Sequence, residues 1–153
     1  AKSTELVASA SGQPPAGVAA QPPASTAAGP LTLLQLARSQ FNGGRLAAAR
    51  AGYQEFIAQF PTNPLVAEAL YGIAQTYDFE SNLTAADSAY QLVVDKYPKS
   101  DRAPMALYKR AIIIRKGGPT QAARARALFQ QIVDKYPGSP EADLARDNLK
   151  TPH

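Results

Sequence analysis

The sequence predicts an all-α fold, an α-solenoid of three helix pairs closed by a C-terminal capping helix. Three observations predict it. An octamer is written twice, VVDKYPKS at 93–100 and IVDKYPGS at 132–139. Three apolar series share one helical rhythm. A proline follows an aromatic residue at the end of each series, at Phe60-Pro61, Tyr97-Pro98 and Tyr136-Pro137.

The rhythm defines the second helix of each pair. Leu46, Ala49, Tyr53, Phe56 and Phe60 are spaced by 3, 4, 3 and 4 residues. Leu83, Ala86, Tyr90, Val93 and Tyr97 repeat that spacing, and so do Ala122, Ala125, Phe129, Ile132 and Tyr136. Such spacing puts one apolar stripe along an α-helix. The series lie 37 and then 39 residues apart. The first helices are less regular. Leu33, Leu34, Ala37 and Phe41 serve in the first pair, Val66, Leu70, Ile73 and Tyr77 in the second, and Ala103, Leu107 and Ile114 in the third. Arg110 stands where Ile73 stands one unit earlier, so the third stripe is less apolar there.

The turns have a physical logic. Gly43-Gly44 and Gly117-Gly118 fall where a first helix must stop, and glycine enters the left-handed backbone at little cost. The second unit offers Glu80-Ser81-Asn82 instead. Pro61, Pro98 and Pro137 lack an N–H and turn the preceding residue away from helix, so each stops a second helix. Asn63-Pro64 and Ser139-Pro140 read as N-cap plus first helical residue. Ser100 or Asp101 does the same for the third unit, with Pro104 in its first turn. The repeated octamer is therefore a helix end, a stop and the next cap, with Tyr97 and Tyr136 filling the joints between units.

The units run over about 31–62, 63–99 and 100–138, and Pro140 to Lys150 forms the capping helix through Ala142, Ala145 and Leu149. Residues 1–30 have no aromatic residue and only Leu6, Val7 and Val18 as large aliphatics. They cannot bury enough apolar surface to offset ordering entropy, and they read as a flexible Ala/Pro/Gly-rich linker. The chain opens on that linker without Met, so it reads as a processed form or an excised fragment.

Composition limits the chemistry. With no cysteine, neither a disulfide nor a thiolate metal site can be argued. The single histidine is His153, the last residue, so no nucleophile–His pair or His-based metal site is expected. No GxxxxGK[ST] loop is present and no run of 18 apolar residues. We expect no catalytic residue, no metal, no cofactor and no membrane span. The net charge of +4 is uneven: residues 96–135 carry +8 and residues 31–95 carry −3. The basic segment is either a solvated helical face or a surface for an acidic partner. It lacks interleaved stacking aromatics, so no nucleic-acid partner is expected.

Paired helices with Ala49, Tyr53 and Pro61, then Ala86, Tyr90 and Pro98, then Ala125, Phe129 and Pro137 resemble the tetratricopeptide repeat (TPR). The resemblance spans 31–137, although the periods exceed 34 and the first-helix Trp and Leu-Gly signals are missing. It implies a right-handed α-solenoid and a protein-binding role. More narrowly, joints of the form YPxS followed by AxxALY, and the closing YPGSPEADLARDNL, resemble the periplasmic YbgF (CpoB) family of the Tol–Pal system. That resemblance implies a periplasmic module of the cell envelope. It would bind a TolA-like protein and help coordinate peptidoglycan synthesis with outer-membrane constriction during cell division. The fragment would be a monomer, and a coiled coil upstream would trimerise the parent. The alternative relative is the repeat lipoprotein of the outer-membrane β-barrel assembly machine, an assembly scaffold.

Stacked helix pairs curve, with the first helices lining the groove. Residues beside the core stripe would face it. These are Leu34, Arg38, Phe41 and Asn42 in unit one, and Glu68, Tyr71, Gln75 and Asp78 in unit two. In unit three they are Met105, Tyr108, Ile112 and Arg115. Tyr71 and Tyr108 are equivalent, fall outside the core spacing and are of a type enriched in binding hot spots. They either contact a partner or pad adjacent repeats. The Lys/Asn clamp by which some repeat domains hold a C-terminal carboxylate is missing. The expected ligand is a helix or extended segment of another protein.

Overall fold

The computed structural model describes residues 28–151, and every regular element among them is helical. The helices are α1 (Pro30–Asn42), α2 (Leu46–Gln59), α3 (Val66–Phe79), α4 (Leu83–Lys96), α5 (Arg102–Arg115), α6 (Ala122–Lys135) and α7 (Pro140–Lys150). The sequence thus builds an all-α repeat solenoid of three pairs plus a closing helix. Most of the proposed linker, residues 1–27, lies outside the described residues, as does His153. Pro30, counted as the linker's last residue, is already the first residue of α1. Its fixed φ and missing N–H suit that position.

Each helix packs on the next in sequence. The odd-numbered helices also touch one another in succession, α1 on α3, α3 on α5 and α5 on α7, whereas the second helices α2, α4 and α6 do not. An array closer on one side than the other must curve. The first helices therefore lie on its inner side.

The predicted stripes of the second helices are the core. Ala49, Tyr53 and Phe56, Ala86, Tyr90 and Val93, and Ala125, Phe129 and Ile132 are all buried. The two ends of each stripe are half-buried in all three helices. Each such large side chain contributes about 1.5–3 kcal/mol by leaving water. In α7, Ala142 and Ala145 are fully buried against the end of the stack.

The first-helix stripe of unit two is corrected. Of Val66, Leu70, Ile73 and Tyr77, only Val66 is fully buried, while the other three are half-buried and pack against the core. The buried set includes Ala67, Ala69, Tyr71, Gly72, Ala74 and Thr76. The reason is position: α3 is covered by α2 and α4 and flanked by α1 and α5. A helix covered on so many sides needs small residues where neighbours approach. Gly72 is the extreme case, since a Cβ there would sit 2.5 Å from the Tyr53 ring. Tyr71 accordingly belongs to the core. It is 3% exposed, and its ring centroid lies 5.4 Å from that of Tyr90. The equivalent Tyr108 makes the equivalent contact with Phe129 at 5.9 Å but stays half-buried.

The turns follow the repeat closely. Phe60, Tyr97 and Tyr136 end α2, α4 and α6 with φ near −130° and ψ of 50–58°, each N–H donating to the carbonyl four residues back. Tyr136 also donates its hydroxyl to the Pro98 carbonyl at 2.7 Å, tying one joint to the previous one. Ser139 Oγ accepts from the Ala142 N–H at 3.1 Å, with Pro140 opening α7 as anticipated. Ser100 Oγ accepts from the Arg102 N–H at 3.1 Å, whereas the Asp101 side chain makes no cap. Asn63 differs. Its Oδ1 accepts from the Leu65 N–H at 2.8 Å, closing a tight turn, and α3 starts at Val66.

Gly44 (φ +75°), Ser81 (φ +60°) and Gly118 (φ +90°) occupy equivalent places. After α1 and α3, the N–H of the following residue bonds back to the carbonyl five residues earlier, Arg45 to Gln40 and Asn82 to Tyr77. This is the Schellman closure. The third unit has Pro119 at that place, and proline has no N–H to give. A 3-10 turn, Pro119–Gln121, intervenes there, which accounts for the longer second period.

Candidate functional site

On the inner side of the array α1, α3 and α5 enclose a cleft of about 270 Å³. Arg38, Phe41 and Asn42 reach it from α1, and Glu68, Tyr71 and Gln75 from α3. Six of the twelve residues expected in a groove are thus brought together. The core tyrosine Tyr71 takes part while almost wholly buried.

The other six are placed differently. Leu34 is 1% exposed and belongs to the core, and Met105 lines a neighbouring cleft. The Asp78 carboxylate accepts from the Tyr90 hydroxyl at 3.3 Å and lies outside the cleft lining. Tyr108 and Ile112 are half-buried and pack against the core. Arg115 donates to Asn148 of α7, and its guanidinium lies 5.9 Å from the Phe129 ring centre. It lines a separate, mainly apolar cavity of about 390 Å³ with Gly118, Pro119 and Ala122. The helix that closes the stack therefore draws Arg115 away from the groove.

Three lining residues escaped the sequence reading: Tyr53, Gly72 and Arg102. Tyr53 counts as core by its spacing and is 4% exposed. Only the missing Cβ of Gly72 lets its ring approach α3. Arg102 had a signal, because stepping back three residues along the helix from Met105 reaches it. Its Nη1 lies 3.4 Å from the Met105 sulfur.

The polar geometry is a relay across three first helices. Arg38 of α1 pairs with Glu68 of α3, and Arg102 of α5 reaches the same Oε1 atom at 3.3 Å. The Arg102 guanidinium also stands 5.2 Å from the Tyr71 ring centre. Burial raises the pKa of Tyr53 and of Tyr71, with the neighbouring arginines opposing the shift. Both hydroxyls therefore stay protonated at neutral pH. Such a surface can hold a polypeptide by hydrogen bonds, charge and aromatic contact. Beyond it, Pro64, Leu65, Ser100 and Met105 line a further cleft that shares Glu68 and Arg102. The ion pair is thus the partition between two segments of one groove.

Among the described residues no group of three or more His, Asp or Glu side chains is placed to hold a metal ion, and no helix is long and apolar enough to cross a membrane. No curated protein matches the chain. The tetratricopeptide-repeat model matches residues 31–63, 68–100 and 105–139, one match for each helix pair. Repeats of this kind form protein–protein interaction modules. Sequence rhythm, helix pairing and these three matches agree: the chain belongs to the tetratricopeptide-repeat family.

Proposed function

We propose that the chain is a non-catalytic interaction module of the bacterial cell envelope, similar to YbgF, that holds a segment of a periplasmic TolA-like protein in its inner groove. The observation that carries the binding mode is the single cleft lined from α1, α3 and α5, with arginine, amide and aromatic groups side by side. Arg and aromatic residues are the types that dominate interface energetics. Two observations on the sequence support the envelope role: the YPxS joints followed by AxxALY, and the closing YPGSPEADLARDNL. The site works by binding, since its charged groups are engaged with one another across the helices.

A photo-crosslinking amino acid at Gln75, in the groove, tests this reading against the same group at Gln130, on the exposed side of α6. The chain is then mixed with periplasmic extract. We expect a TolA-like protein to be captured from position 75 and not from position 130. Capture from both positions, or of barrel-assembly components instead, would overturn the assignment. Alanine at Tyr71 is a poor probe, because it would remove a core ring.

A further inference from the structure

The groove carries unbalanced charge. Glu68 is the only acid among the described residues that lines the cleft, and two arginines converge on its Oε1 atom. Arg38 and Arg102 remain 46% and 32% exposed while doing so. Arg50 and Arg110, by contrast, are absorbed by their neighbours. Arg50 has Thr76, Glu80 and the Tyr77 ring, and Arg110 has Asp87 and Gln91. One cationic charge is therefore left over, inside a concavity and next to the protonated Tyr53 hydroxyl.

An aromatic pair adjoins the cleft through its lining residue Phe41. Phe41 and Phe79 meet edge to face, with centroids 5.1 Å apart at 86°. Phe79 is 69% exposed, the highest value among the exposed large hydrophobic side chains of the described residues. The two ends of α3 thus carry a charged patch and an aromatic ledge, met by Arg38 and Phe41 of α1. Glu68, where the two arginines meet, and Phe79 are eleven residues apart on α3, a rise of about 16 Å. Side chains four residues apart on the same side of an extended peptide are about 13 Å apart. Long side chains bridge that difference.

We propose that the groove selects an extended partner segment bearing an acidic residue and, four positions away, a large apolar or aromatic one. The carboxylate enters between Arg38 and Arg102, and the apolar side chain rests on Phe41 and Phe79. Glu68 is the resident counter-ion that holds the two arginines in place and competes with the incoming acid. This proposal rests on the groove reading above and gives that partner its chemistry.

The test is a displayed library of random heptapeptides, selected on the full chain and on four variants whose helicity is checked by circular dichroism. The variants are the double change Arg38→Gln with Arg102→Gln, and the single changes Phe79→Ser, Glu68→Gln and Gln75→Trp. The wild type should enrich Asp or Glu four residues from Phe, Leu, Trp or Tyr. The double glutamine variant should lose the acidic preference, and Phe79→Ser the apolar one. Glu68→Gln should bind the selected peptides roughly threefold to tenfold more tightly at low salt, as screened surface charges allow. Enrichment without acids, or an acidic preference that survives the double variant, would overturn the proposal while leaving groove binding intact. Peptides indifferent to the plug at Gln75→Trp, or no enrichment at all, would overturn both.

Discussion

Arg110, in the middle of α5, donates through Nε to Asp87 Oδ1 of α4 at 2.7 Å. It also reaches Gln91 Oε1 at 3.4 Å. The position of Asp87 on its helix matches Arg50 in α2 and Arg126 in α6. Each reaches forward to the next first helix, Arg50 to Thr76 and Glu80, and Arg126 to the Leu149 carbonyl at 3.1 Å. One position per repeat therefore ties neighbouring units together, with a different polar chemistry each time.

The pair in the middle is the most enclosed, with the two side chains only 11% and 21% exposed. Removing one partner leaves a poorly solvated charge. Asp87→Ala should cost about 2–3 kcal/mol in urea unfolding. The combined change Arg110→Ile and Asp87→Leu should cost far less, because Ile73 already fills the equivalent place one unit earlier. Equal losses in both would contradict this reading.

Ser81 has the left-handed backbone that Gly44 and Gly118 adopt in the other units. An L-residue there carries roughly 1–2 kcal/mol of strain. Ser81→Gly should stabilise the chain by about 0.5–1 kcal/mol, after allowing for the greater freedom of glycine in the unfolded state. That corresponds to a rise in Tm of about 1–4 °C by circular dichroism. Gly44→Ala should move Tm the other way by a similar amount.

Gly72 makes room for the Tyr53 ring, and Gly52 lets α1 approach, its missing Cβ lying 3.0 Å from that of Ala37. Gly72→Ala should cost about 1–3 kcal/mol through displacement of a core ring. Adding Tyr53→Leu should recover part of that loss. No recovery in a double-mutant unfolding cycle would show that the two positions are independent.

Burial raises the pKa of Tyr53, Tyr71, Tyr90 and Tyr136 above the ordinary tyrosine value, and for Tyr90 the neighbours Tyr71 and Asp78 add to the rise. The folded chain thus keeps protons that the unfolded chain releases near pH 10. Their contribution is fully present below about pH 10 and is lost as pH climbs further, at up to about 1.4 kcal/mol per pH unit for a deeply buried ring. Tyr136 is more open and adds less. Urea unfolding should give level stability between pH 7 and 9 and a decline above 10. Tyr90→Phe should make that decline shallower.

The second helices and the joints were legible because their requirements are local. A 3-4-3-4 apolar spacing has one helical solution, and an aromatic followed by proline has one way to stop. The first helices were less legible because α3 is enclosed from several sides, and its burial depends on neighbours rather than on its own period. Tyr71 illustrates this, being placed beside the core by its spacing and inside it by α4. Arg115 was drawn off by α7, whose reach no spacing on α5 records. Arg102 was legible as the start of a helix but not as the second arginine on Glu68, 34 residues away.

The most direct test of the central claim is an amide chemical-shift map of the isotopically labelled chain on addition of the protein captured from position 75. The account predicts that shifts concentrate on the cleft-facing residues of α1, α3 and α5, around Arg38, Glu68, Gln75 and Arg102. Shifts concentrated instead on the outer faces of α2, α4 and α6, with those residues unmoved, would contradict it.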